Sequence, residues 1–579
     1  MSKQFYHEII EEIKKKDLNA KQFAKLKRDL CIKHKMKKIP TNIEILLHVP
    51  ENEIAELKQK LVTKPVRSIS GVAPVAIMTK PFPCPHAEKG IGPCAMCPGG
   101  PNSAFGYVPQ SYTGQEPATM RGIRNNFNSY LQVFNRLEQY ILLGHNCEKV
   151  ELIIMGGTFP STPKEYQEQF VQGAFQAMND FSEIFYTSAG KFNYVKFKKF
   201  FELPVVNLGD KERVARIHKK LLELKDKNEC VGESSEKNYV NNLEAAQQTN
   251  ETTKIRCVAL CIETRPDYGL LKHGNEMLRL GCTRIELGIQ SVYDNCLEKI
   301  NRGHDTKESR KSIKILKDLG FKIGVHYMPG LPGVDNNHEK DLAGMKQLFS
   351  DPDYKPDMLK LYPCMVTKGT KLYEMWKKGE YIPLNTEEAA KLIAKFKRFI
   401  PEYCRVQRVQ RDIPHQQIEA GVAMTNLRQY MTQKYDVKCR CIRCREPKGK
   451  NVDWDYVKTK INEYEASGGY EFFISVEDVK NDLLLGFLRL RFPAESLRSE
   501  ITVNSAIVRE LHVYGAAAGL GKEGGIQHRG LGKQLLAKAE SIAKKASKSK
   551  VVVISGIGVR GYYYKLGYEK EGPYVTKKL

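Results

Sequence analysis

Between residues 70 and 400, the chain alternates short apolar runs with longer stretches of helical periodicity. The runs, several of them rich in β-branched side chains, cover residues 75–78, 150–155, 256–262, 284–289, 322–327 and 358–362. Strands that alternate with helices at this spacing form βα units, whose strands pair in parallel because each helix returns the chain to the same edge of the sheet. This pattern predicts an α/β fold with a full or partial parallel barrel.

The segments on either side of this region show other patterns. Residues 1–68 are basic, with apolar side chains at helical spacing, and predict several short helices. Residues 401–455 are rich in Arg and Cys and are interpreted as a linker. Residues 456–579 show antiparallel-like strands, a Gly-rich loop, a helix and a further strand, which predict an α+β domain with a mixed sheet. The barrel would then cover residues 69–400, with a polar insertion or loop at residues 225–254.

The net charge of +25, from 92 Lys and Arg against 67 Asp and Glu, indicates a polyanionic partner. A solvated, Lys-rich surface would give the same total, so the distribution of charge decides between the two. Eight basic residues and one acidic residue lie between Lys21 and Lys38, a density that suits contacts with nucleic-acid phosphates. No apolar run reaches 18 residues and the N-terminus has no secretory signal, so we predict a cytoplasmic protein without a membrane span.

Two clusters stand out among the fifteen cysteines, which we do not expect to form disulfides in a reducing compartment. Cys84, Cys94 and Cys97 lie in a Gly- and Pro-rich loop after the first predicted strand. Three thiolates can hold three irons of a 4Fe-4S cluster and leave the fourth iron open for a substrate. A structural zinc site with His86 as the fourth ligand is the alternative, and the spacing alone leaves both open.

Three cysteines of the predicted linker form the second cluster: Cys439, Cys441 and Cys444. We interpret them as zinc ligands, with Cys404 or His415 completing a tetrahedron, because short Cys clusters in a reducing compartment often carry a ligand. An unligated loop is the alternative. Basic side chains of the same linker are candidates for contact with RNA phosphates: Arg405, Arg408 and Arg411.

Two glycine motifs lie at the ends of predicted strands and helices. Gly156, Gly157 and Thr158 follow the run at 150–155, at the edge where parallel barrels place their ligand sites, although ordinary turns contain such glycines too. Residues 527–532, QHRGLG, open a predicted helix and resemble the Q/R-x-x-G-x-G/A signature of GNAT-type acetyltransferases. Backbone N–H groups at such a helix N-terminus bind the pyrophosphate of coenzyme A. The candidate residues of this loop are Gln527, Arg529, Gly530, Leu531, Gly532 and Lys533.

A series of motifs resembles the family of the third, catalytic subunit of Elongator. The motifs are CPH…CAMCPGGP, QSYTGQEPATMRGIRNNF, MGGTFPS, ETRPDYG, TRIELGIQSVYD, NRGH, PGLPG, LKLYPC and RVQRDIP, and the similarity runs from about residue 70 to the C-terminus. The resemblance implies a radical S-adenosylmethionine (SAM) barrel, a linker and an acetyltransferase-like domain, with Cys84, Cys94 and Cys97 as the cluster ligands. Two features depart from radical enzymes in general: nine residues separate the first two cysteines, and GGT replaces the usual GGE.

Further site residues come from predicted strand ends and from the resemblance. Glu263, Arg265 and Gln290 end predicted strands, where they would line the cofactor pocket or simply hold a loop. The resemblance implies that one strand exposes its backbone to the pantetheine arm of acetyl-CoA, through Glu510, Leu511, His512 and Val513. It also implies that Tyr563 lies near the thioester and that Lys149 is associated with acetyl-CoA.

The implied reaction uses both domains. Radical chemistry would activate the methyl group of acetyl-CoA, which would add to carbon 5 of the wobble uridine in a tRNA anticodon stem-loop, and thioester hydrolysis would leave a carboxymethyl group. The implied cofactors are a 4Fe-4S cluster and SAM, with acetyl-CoA as co-substrate. The alternatives are a protein-lysine acetyltransferase with a structural cluster and a tRNA-binding scaffold with degenerate sites, which the intact motifs disfavour. The sequence leaves self-association and accessory subunits open.

Overall fold

The predicted alternation of strands and helices is present in the computed structural model, where seven strands form one sheet. Up to residue 408 the strands are, in chain order, β1 (Ala73–Met78), β2 (Gly100–Ser103), β3 (Gly106–Val108), β4 (Lys149–Met155), β5 (Arg256–Thr264), β6 (Arg284–Gln290), β7 (Lys322–Tyr327), β8 (Met358–Leu361) and β9 (Arg405–Arg408). Strands β2 and β3 pair as a separate ribbon. The others form a sheet of order β1-β4-β5-β6-β7-β8-β9, parallel from β5 to β9. Six of the seven residues of β6 are buried, as expected for a strand covered on both faces.

Helices precede and connect these strands. In chain order they are α1 (Ser2–Lys15), α2 (Ala20–Lys33), α3 (Asn42–His48), α4 (Glu51–Leu61), α5 (Pro117–Arg124), α6 (Ser129–Leu142), α7 (Lys164–Phe185), α8 (Tyr194–Phe200), α9 (Lys211–Cys230), α10 (Asn242–Asn250), α11 (Leu271–Arg279), α12 (Asp294–Lys299), α13 (Thr306–Asp318), α14 (His338–Ser350), α15 (Lys371–Lys377), α16 (Thr386–Lys397), α17 (Leu427–Lys434) and α18 (Ile442–Arg445). Helices α9 and α10 enter both ends of the predicted polar insertion, since its Glu, Lys, Ala and Gln residues are good helix formers. No helix in the described part of the chain is long and apolar enough to cross a membrane.

The structure describes residues 2–63, 71–87, 90–204, 210–230, 242–515 and 529–579. The chain divides into two compact units. The first contains Met1–Val75, Tyr130–Val150 and Gln172–Arg256, and the second contains Ala76–Ser129, Glu151–Val171 and Cys257–Leu579.

In the first unit, helices α1 to α4 pack around a core that includes Phe5, Ile9 and Ile45. This packing follows from the helical spacing of apolar residues at the N-terminus. Seven of the eight basic side chains between Lys21 and Lys38 are exposed, so the basic block lies on the surface of this segment.

The second unit contains a further seven-stranded sheet near the C-terminus. Its strands are β10 (Val457–Ala466), β11 (Gly469–Asp478), β12 (Leu483–Phe492), β13 (Ser505–Val513), β14 (Lys550–Val553), β15 (Glu569–Glu571) and β16 (Tyr574–Lys578), in the order β10-β11-β12-β13-β14-β16-β15. Two helices belong to it, α19 (Leu531–Lys545) and α20 (Arg560–Tyr564). Strands β10 to β13 are antiparallel, whereas β13 and β14 are parallel, so the sheet is mixed, as predicted. One apolar side of α19 packs on this sheet and shares its core.

Buried ion pairs join the C-terminal sheet to the first sheet within the second unit. Arg509 of β13 donates from its two terminal nitrogens to the two carboxylate oxygens of Asp357, each at 2.7 Å. Arg491 of β12 pairs with Asp318 at 2.6 Å, and Glu471 of β11 accepts from both arginines. Lys322, the first residue of β7, donates to Glu510 at 2.5 Å. Ionic contacts therefore anchor the strand that was predicted to bind pantetheine.

Strand β9 extends the first sheet beyond residue 400, where we predicted that the barrel would give way to a linker. In this strand only Val406 is buried, because Arg405 and Gln407 are partly exposed and Arg408 is exposed. A four-residue strand with one buried position has no apolar run, which is why the sequence pattern does not reveal it.

Candidate active site

The cysteine loop and the glycine motif lie in one cavity. This cavity, of about 220 Å³, is lined by Cys84, Cys94 and Cys97 together with Gly157 and Thr158. Residues 156–158 directly follow β4, so these motifs meet beyond the C-terminal end of a sheet strand. This is the edge at which parallel barrels carry their ligands, and the structure thus unites two motifs that lie about sixty residues apart in the sequence.

Gly156 allows β1 and β4 to approach each other closely at this edge. Its φ is +125°, and a Cβ atom at this position would lie 2.1 Å from Oγ1 of Thr79, the residue after β1. The Thr79 hydroxyl donates to the carbonyl oxygen of Gly156 at 3.2 Å. A side chain at residue 156 would therefore displace the turn that brings Gly157 and Thr158 into the cavity.

His86, which the zinc alternative required as a fourth ligand, is occupied by other groups. Its Nε2 atom donates to Asp267 at 2.7 Å, and the side chain is only 1% exposed. Gly303 packs so closely that a Cβ atom there would lie 1.8 Å from Nδ1 of His86. Burial alone would raise the pKa of Asp267. The hydrogen bond from His86 and the positive charge of Arg265 hold this pKa well below its usual range instead. The geometry disfavours a zinc site at these cysteines.

Two buried arginines surround the sulfur of Cys94. Arg302 donates to this sulfur at 3.3 Å and also to the carbonyl oxygen of Gly288, while Arg265 approaches the same sulfur at 3.9 Å. Arg265 also donates to the carbonyl oxygen of Arg302, which links the two side chains. Burial alone would raise the pKa of Cys94, but the two guanidinium groups hold this pKa below its usual range. The ETRPDYG and NRGH motifs, which carry these arginines, thus form a cationic wall against one thiolate.

The inner end of the cavity carries a charged layer built from four strands. Lys360 of β8 donates to Glu263 of β5 at 3.0 Å and also to Glu286 of β6. His326 of β7 lies 3.1 Å from Glu286, and the hydroxyl of Tyr112 donates to Glu263 at 3.2 Å. Although burial alone would raise the pKa of Glu286, Lys360 holds it well below the usual range. The pair of Glu286 and Lys360 is therefore ionised and gives the cavity fixed charges.

Sequence reasoning found only part of this layer. Glu263, Arg265 and Gln290 were predicted to line the pocket, and all three do. Glu286 and Lys360 were missed, although each is a charged residue inside an apolar run, a signal that marks a buried polar site. Glu263, Glu286 and His326 have ligand atoms within 4.8 Å of one another, as in a metal site. The ammonium group of Lys360 contacts both carboxylates, however, and so balances the charge that a metal ion would neutralise.

The predicted pyrophosphate loop is partly within the described residues. Gln527 lies outside them, whereas Gly530 is the N-cap of α19, with a φ of +73° and no side-chain cap. A Cβ atom at Gly532 would lie 2.9 Å from the hydroxyl oxygen of Tyr562. Lys533 is exposed, Leu531 is buried, and the guanidinium of Arg529 lies 4.0 Å above the ring of Trp454. The helix N-terminus is thus flanked by a glycine and a tyrosine hydroxyl.

In the described part of the chain, the last residues of strand β13 have no partner strand on the side of β14. The two strands pair through Ser505 to Val508, and residues 509–513 lie beyond this pairing. A register shift at Arg489 and Leu490 of β12 bulges β13 at the same level. The backbone groups of Glu510, Leu511, His512 and Val513 are therefore placed to accept or donate hydrogen bonds to an extended ligand.

Two charged side chains of this strand have shifted pKa values. Burial alone would raise the pKa of Glu510, but Lys322 and Arg489 lower it to about 2. Burial lowers the pKa of His512 to about 4, so this histidine is neutral near pH 7. Neither group is then a proton shuttle near neutrality, and Glu510 holds the strand through its ion pairs with Lys322 and Arg489.

Tyr563 and Lys149 are two further residues that the resemblance associates with acetyl-CoA. Tyr563 is 6% exposed and belongs to the apolar core of the C-terminal sheet, whereas its neighbour Tyr562 is 38% exposed and faces Gly532. Lys149 is the first residue of β4 and does not line the cysteine cavity, and burial lowers its pKa. Adjacent residues on a helix differ by about 100° in direction, so the two tyrosines have different surroundings.

The linker cysteines form a second candidate metal centre. The ligand atoms of Cys439, Cys441 and Cys444 all lie within 4.8 Å of one another. Neither Cys404 nor His415 belongs to this group in the described part of the chain, so neither completes the predicted tetrahedron here. Hydrogen bonds from the other two thiols hold the pKa of Cys441 below its usual range, although burial alone would raise it. Three clustered thiols in a loop suit a soft metal ion.

Three family models match the chain: ELP3 N-terminal domain at residues 2–69, Radical SAM superfamily at 94–344 and Radical_SAM C-terminal domain at 356–436. A tRNA uridine(34) acetyltransferase of Methanocaldococcus jannaschii is 45% identical over 587 aligned residues, which cover 99% of this chain and 96% of the relative. Elongator complex protein 3 of Homo sapiens is 37% identical, with coverage of 99% and 95%. The chain belongs to the Elongator complex protein 3 family.

A solved structure of the family agrees with this assignment. The archaeal Methanocaldococcus infernus Elp3 with an N-terminal deletion is 40% identical, with a TM-score of 0.67, and covers 88% of this chain and 100% of its own. The resemblance to the catalytic subunit of Elongator is thus confirmed, and so is the radical SAM fold.

The radical SAM fold of this family implies a 4Fe-4S cluster and SAM. The residues of the cavity fit the cluster. They offer three thiols, and His86, the one histidine described in the cysteine loop, is bound to Asp267. The cavity also places two cationic side chains against one of these thiols, as suits a cluster of net negative charge.

Replacing Arg302 with methionine is expected to make the reduction potential of the cluster more negative by roughly 40–90 mV. A hydrogen bond to a charged acceptor is worth about 1.5–3 kcal/mol, and part of it is gained when the cluster takes up an electron. The potential is measured by an electron paramagnetic resonance titration of the reconstituted protein at equal iron content. Arg310→Met, at an arginine paired with Asp351 away from the cavity, should leave the potential unchanged. An equal potential in both variants would contradict the assigned role of Arg302.

Proposed function

We propose that this protein modifies the wobble uridine of tRNA, using radical SAM chemistry to attach a carboxymethyl group derived from acetyl-CoA. One observation carries the proposal: a single compact unit holds the cysteine cavity together with a strand edge that has no partner strand among the described residues, beside a glycine-flanked helix N-terminus. The relatives are named as tRNA uridine(34) acetyltransferases and Elongator complex protein 3, which agrees with this substrate. Carbon 5 of uridine is not a nucleophilic amine, so simple acyl transfer would not modify it.

The residues of the first cavity bind and orient the reacting groups. When bound, the cluster and SAM supply a carbon radical strong enough to remove hydrogen from an unactivated methyl group. Cys84, Cys94 and Cys97 hold the cluster, and the turn at Gly157 and Thr158 offers polar backbone groups to the amino acid part of SAM. The charged side chains around Lys360 bind polar groups of the substrates within the cavity.

Acetyl-CoA binds, in this proposal, along the C-terminal sheet in the manner of GNAT-type enzymes. The pyrophosphate meets the backbone N–H groups at the start of α19, and the pantetheine arm pairs with Glu510 to Val513. Tyr563 would contact the thioester, as the resemblance implies, from its position at the margin of the apolar core. Tyr562, whose hydroxyl faces Gly532, would be a second tyrosine in contact with coenzyme A.

A valine at Gly532 is expected to weaken acetyl-CoA binding at least tenfold. A branched side chain would meet the hydroxyl of Tyr562 and cover the helix N-terminus, which removes backbone contacts with the pyrophosphate. Isothermal titration calorimetry measures the effect. Gln534→Val, at an exposed residue two positions along the same helix, is the matched control and should bind acetyl-CoA like the wild type. Equal affinity in the two variants would place the pyrophosphate elsewhere.

The basic surface and the family to which the chain belongs support the proposals for the RNA substrate and the other partners. The exposed basic residues between Lys21 and Lys38 contact phosphates of the tRNA, whose anticodon stem-loop brings the uridine to the cavity. A cytoplasmic location and accessory subunits, as in the Elongator context of the relatives, belong to the same proposal. Zinc on Cys439, Cys441 and Cys444 would stabilise the loop between the two sheets, with a fourth ligand from outside this cysteine set.

An anaerobic assay tests the proposed function. Reconstituted protein, dithionite, SAM, acetyl-CoA and unmodified tRNA are incubated, and the nucleosides are analysed by mass spectrometry. We expect a carboxymethyl gain on uridine that disappears when SAM, reductant or acetyl-CoA is omitted. Acetylated lysine on added protein without any uridine product, and without a need for reductant, would favour the protein-lysine acetyltransferase instead.

A further inference from the structure

A second cavity adjoins the first one. It has a volume of about 510 Å³ and lies at the end of β9, beside α17. Gln407, Arg408 and Asp412 line both cavities, so the second opens next to the proposed reaction site. The two cavities are therefore separated only by residues that both of them share.

Unpaired positive charge is the first property of this second cavity. Arg428 donates to the carbonyl oxygen of Val406 at 3.0 Å, and Arg443 donates to that of Gln407 at 3.1 Å. Among the residues that the structure describes, neither guanidinium has a carboxylate within 4.0 Å. Neutral carbonyls satisfy some of their N–H groups, and Cys441 and Cys444 act on both arginines electrostatically, as Glu446 does on Arg443, without an ion pair. Two guanidinium groups without a carboxylate at ion-pair distance favour an anion in the cavity.

The predicted RNA-contacting arginines differ from this pair. Arg405 pairs with Glu446, and Arg408 pairs with Asp412. Arg411 donates to the carbonyl oxygen of Ser111 at 2.5 Å and lines the first cavity. Two of the three arginines that the sequence singled out are thus neutralised by carboxylates, whereas Arg428 and Arg443, which it did not single out, keep their charge available.

An amide-rich lining is the second property. Five side-chain amides contribute to the second cavity: Gln407, Gln410, Asn426, Gln429 and Gln433. Gln410 is 8% exposed, and its Nε2 donates to the carbonyl oxygen of Val422 at 2.7 Å, while its Oε1 has no partner. The Oε1 atom of Gln407 is likewise buried without a partner. Amides offer a donor and an acceptor side by side, which is the pattern that reads the edge of a nucleobase.

We propose that the second cavity binds the nucleotide adjacent to the reacting uridine on the same RNA strand, with its phosphate on Arg428 and Arg443 and its base edge against the amides. This inference rests on the proposed function, from which it takes the RNA. Coenzyme A also carries phosphates and an adenine, but its proposed site lies along β13 and α19, whereas this cavity shares its lining with the cysteine cavity. The site adds recognition of a neighbouring base to recognition of the uridine.

The test measures binding of an anticodon stem-loop by fluorescence anisotropy at several salt concentrations. Arg428→Gln is expected to weaken binding about tenfold and to reduce the slope of log K against log salt by about 1. Lys434→Gln removes the same charge from the same helix, at a lysine paired with Glu387 outside the cavity, and should bind nearly as the wild type. Unchanged affinity and slope in Arg428→Gln would overturn the proposal.

A second arm tests the base contact. Gln429→Ala, at an exposed residue of α17, is expected to weaken binding of the intact stem-loop about fivefold. Stem-loops that lack the base on the 5′ or on the 3′ side of the uridine are compared with the intact one. With the correct base removed, wild type and Gln429→Ala should bind equally. If the loss in Gln429→Ala persists for both abasic RNAs, the amide does not read a neighbouring base and the proposal is wrong.

Two controls separate the possible failures. If Arg428→Gln weakens acetyl-CoA binding in calorimetry and leaves RNA binding intact, the cavity holds a part of coenzyme A and the proposal is overturned. If the wild type forms no uridine product on this stem-loop under the anaerobic conditions above, the proposed function fails and this inference fails with it. If the wild type forms the product while both variants bind RNA like the wild type, only the second cavity loses its assignment.

Discussion

Cys94→Ala is expected to abolish the uridine product completely, with a fall of at least a thousandfold, while acetyl-CoA still binds. Without this thiolate the cluster would keep two protein ligands, and Arg302 and Arg265 would face each other without the negative charge between them. Both effects act against assembly of the cluster. Iron and sulfide analysis after anaerobic reconstitution should show a loss of the cluster, and nucleoside mass spectrometry a loss of product.

Cys282→Ala is the matched control for this substitution. Cys282 is 1% exposed and precedes β6 in the same sheet, but it does not line the cavity. This variant should keep both iron and product at the level of the wild type. Calorimetry with acetyl-CoA should give the same affinity for all three proteins, because the C-terminal sheet does not depend on the cluster. Full iron content in Cys94→Ala would show that the cluster ligands lie elsewhere.

The bounds of strands that are covered on both faces could be predicted closely from the sequence. The apolar run at 322–327 coincides with β7, and the run at 256–262 is two residues shorter than β5. A strand covered on both sides must be apolar at nearly every position, so its pattern is visible without any knowledge of its partners. Strand β9 has only one buried residue, Val406, and was therefore assigned to the linker.

Site residues could be predicted where they stand in a local motif. The three cysteines and GGT are such motifs, and the cavity contains them. Lys360 acts through Glu263 and Glu286, which lie 97 and 74 positions away in the sequence, so its role depends on strand order. Which of Tyr562 and Tyr563 is the more exposed depends on the rotation of a five-residue helix against the core. Such facts arise from packing and are not local properties of the chain.

The alternation LRLRF in β12 shows a related limit. Polar residues at every second position are typical of a strand with one solvated face. Arg489 and Arg491 are nevertheless 1% and 0% exposed, because that face packs against the first sheet and meets Asp357 and Asp318. Whether an alternating strand faces water or another domain is decided by charges elsewhere in the chain, and the sequence pattern alone does not contain this information.

These buried charges predict the largest effect on stability. Arg509→Met is expected to lower the free energy of unfolding by about 3–5 kcal/mol, since it removes one partner of a fully buried pair. Arg509 contacts both oxygens of Asp357 at 2.7 Å and Glu471 at 2.8 Å, and all three side chains are at most 1% exposed. The substitution leaves carboxylates in the interior with fewer partners. Calorimetric melting should show a lower Tm for the second unit.

The pH dependence distinguishes this charge effect from a simple packing defect. Burial alone would raise the pKa of Asp357, but Arg509 and Arg489 hold it well below its usual range. A carboxyl group whose pKa is lower in the folded state contributes stability above its unfolded pKa of about 4, and this contribution is lost as the pH falls further. The difference in stability between wild type and Arg509→Met should therefore be largest near pH 7 and should narrow as the pH is lowered through about 4.

Arg279→Met provides the comparison for the same substitution at an exposed pair. Arg279 pairs with Glu276 at 2.7 Å and is 45% exposed, so its loss should cost less than about 1 kcal/mol. If Arg509→Met is no less stable than Arg279→Met, or if its deficit does not narrow below about pH 4, the buried pairs do not hold the two sheets together. The expected result would mean that the same charges fix β13, and with it the proposed acetyl-CoA edge, against the sheet that carries the cysteine cavity.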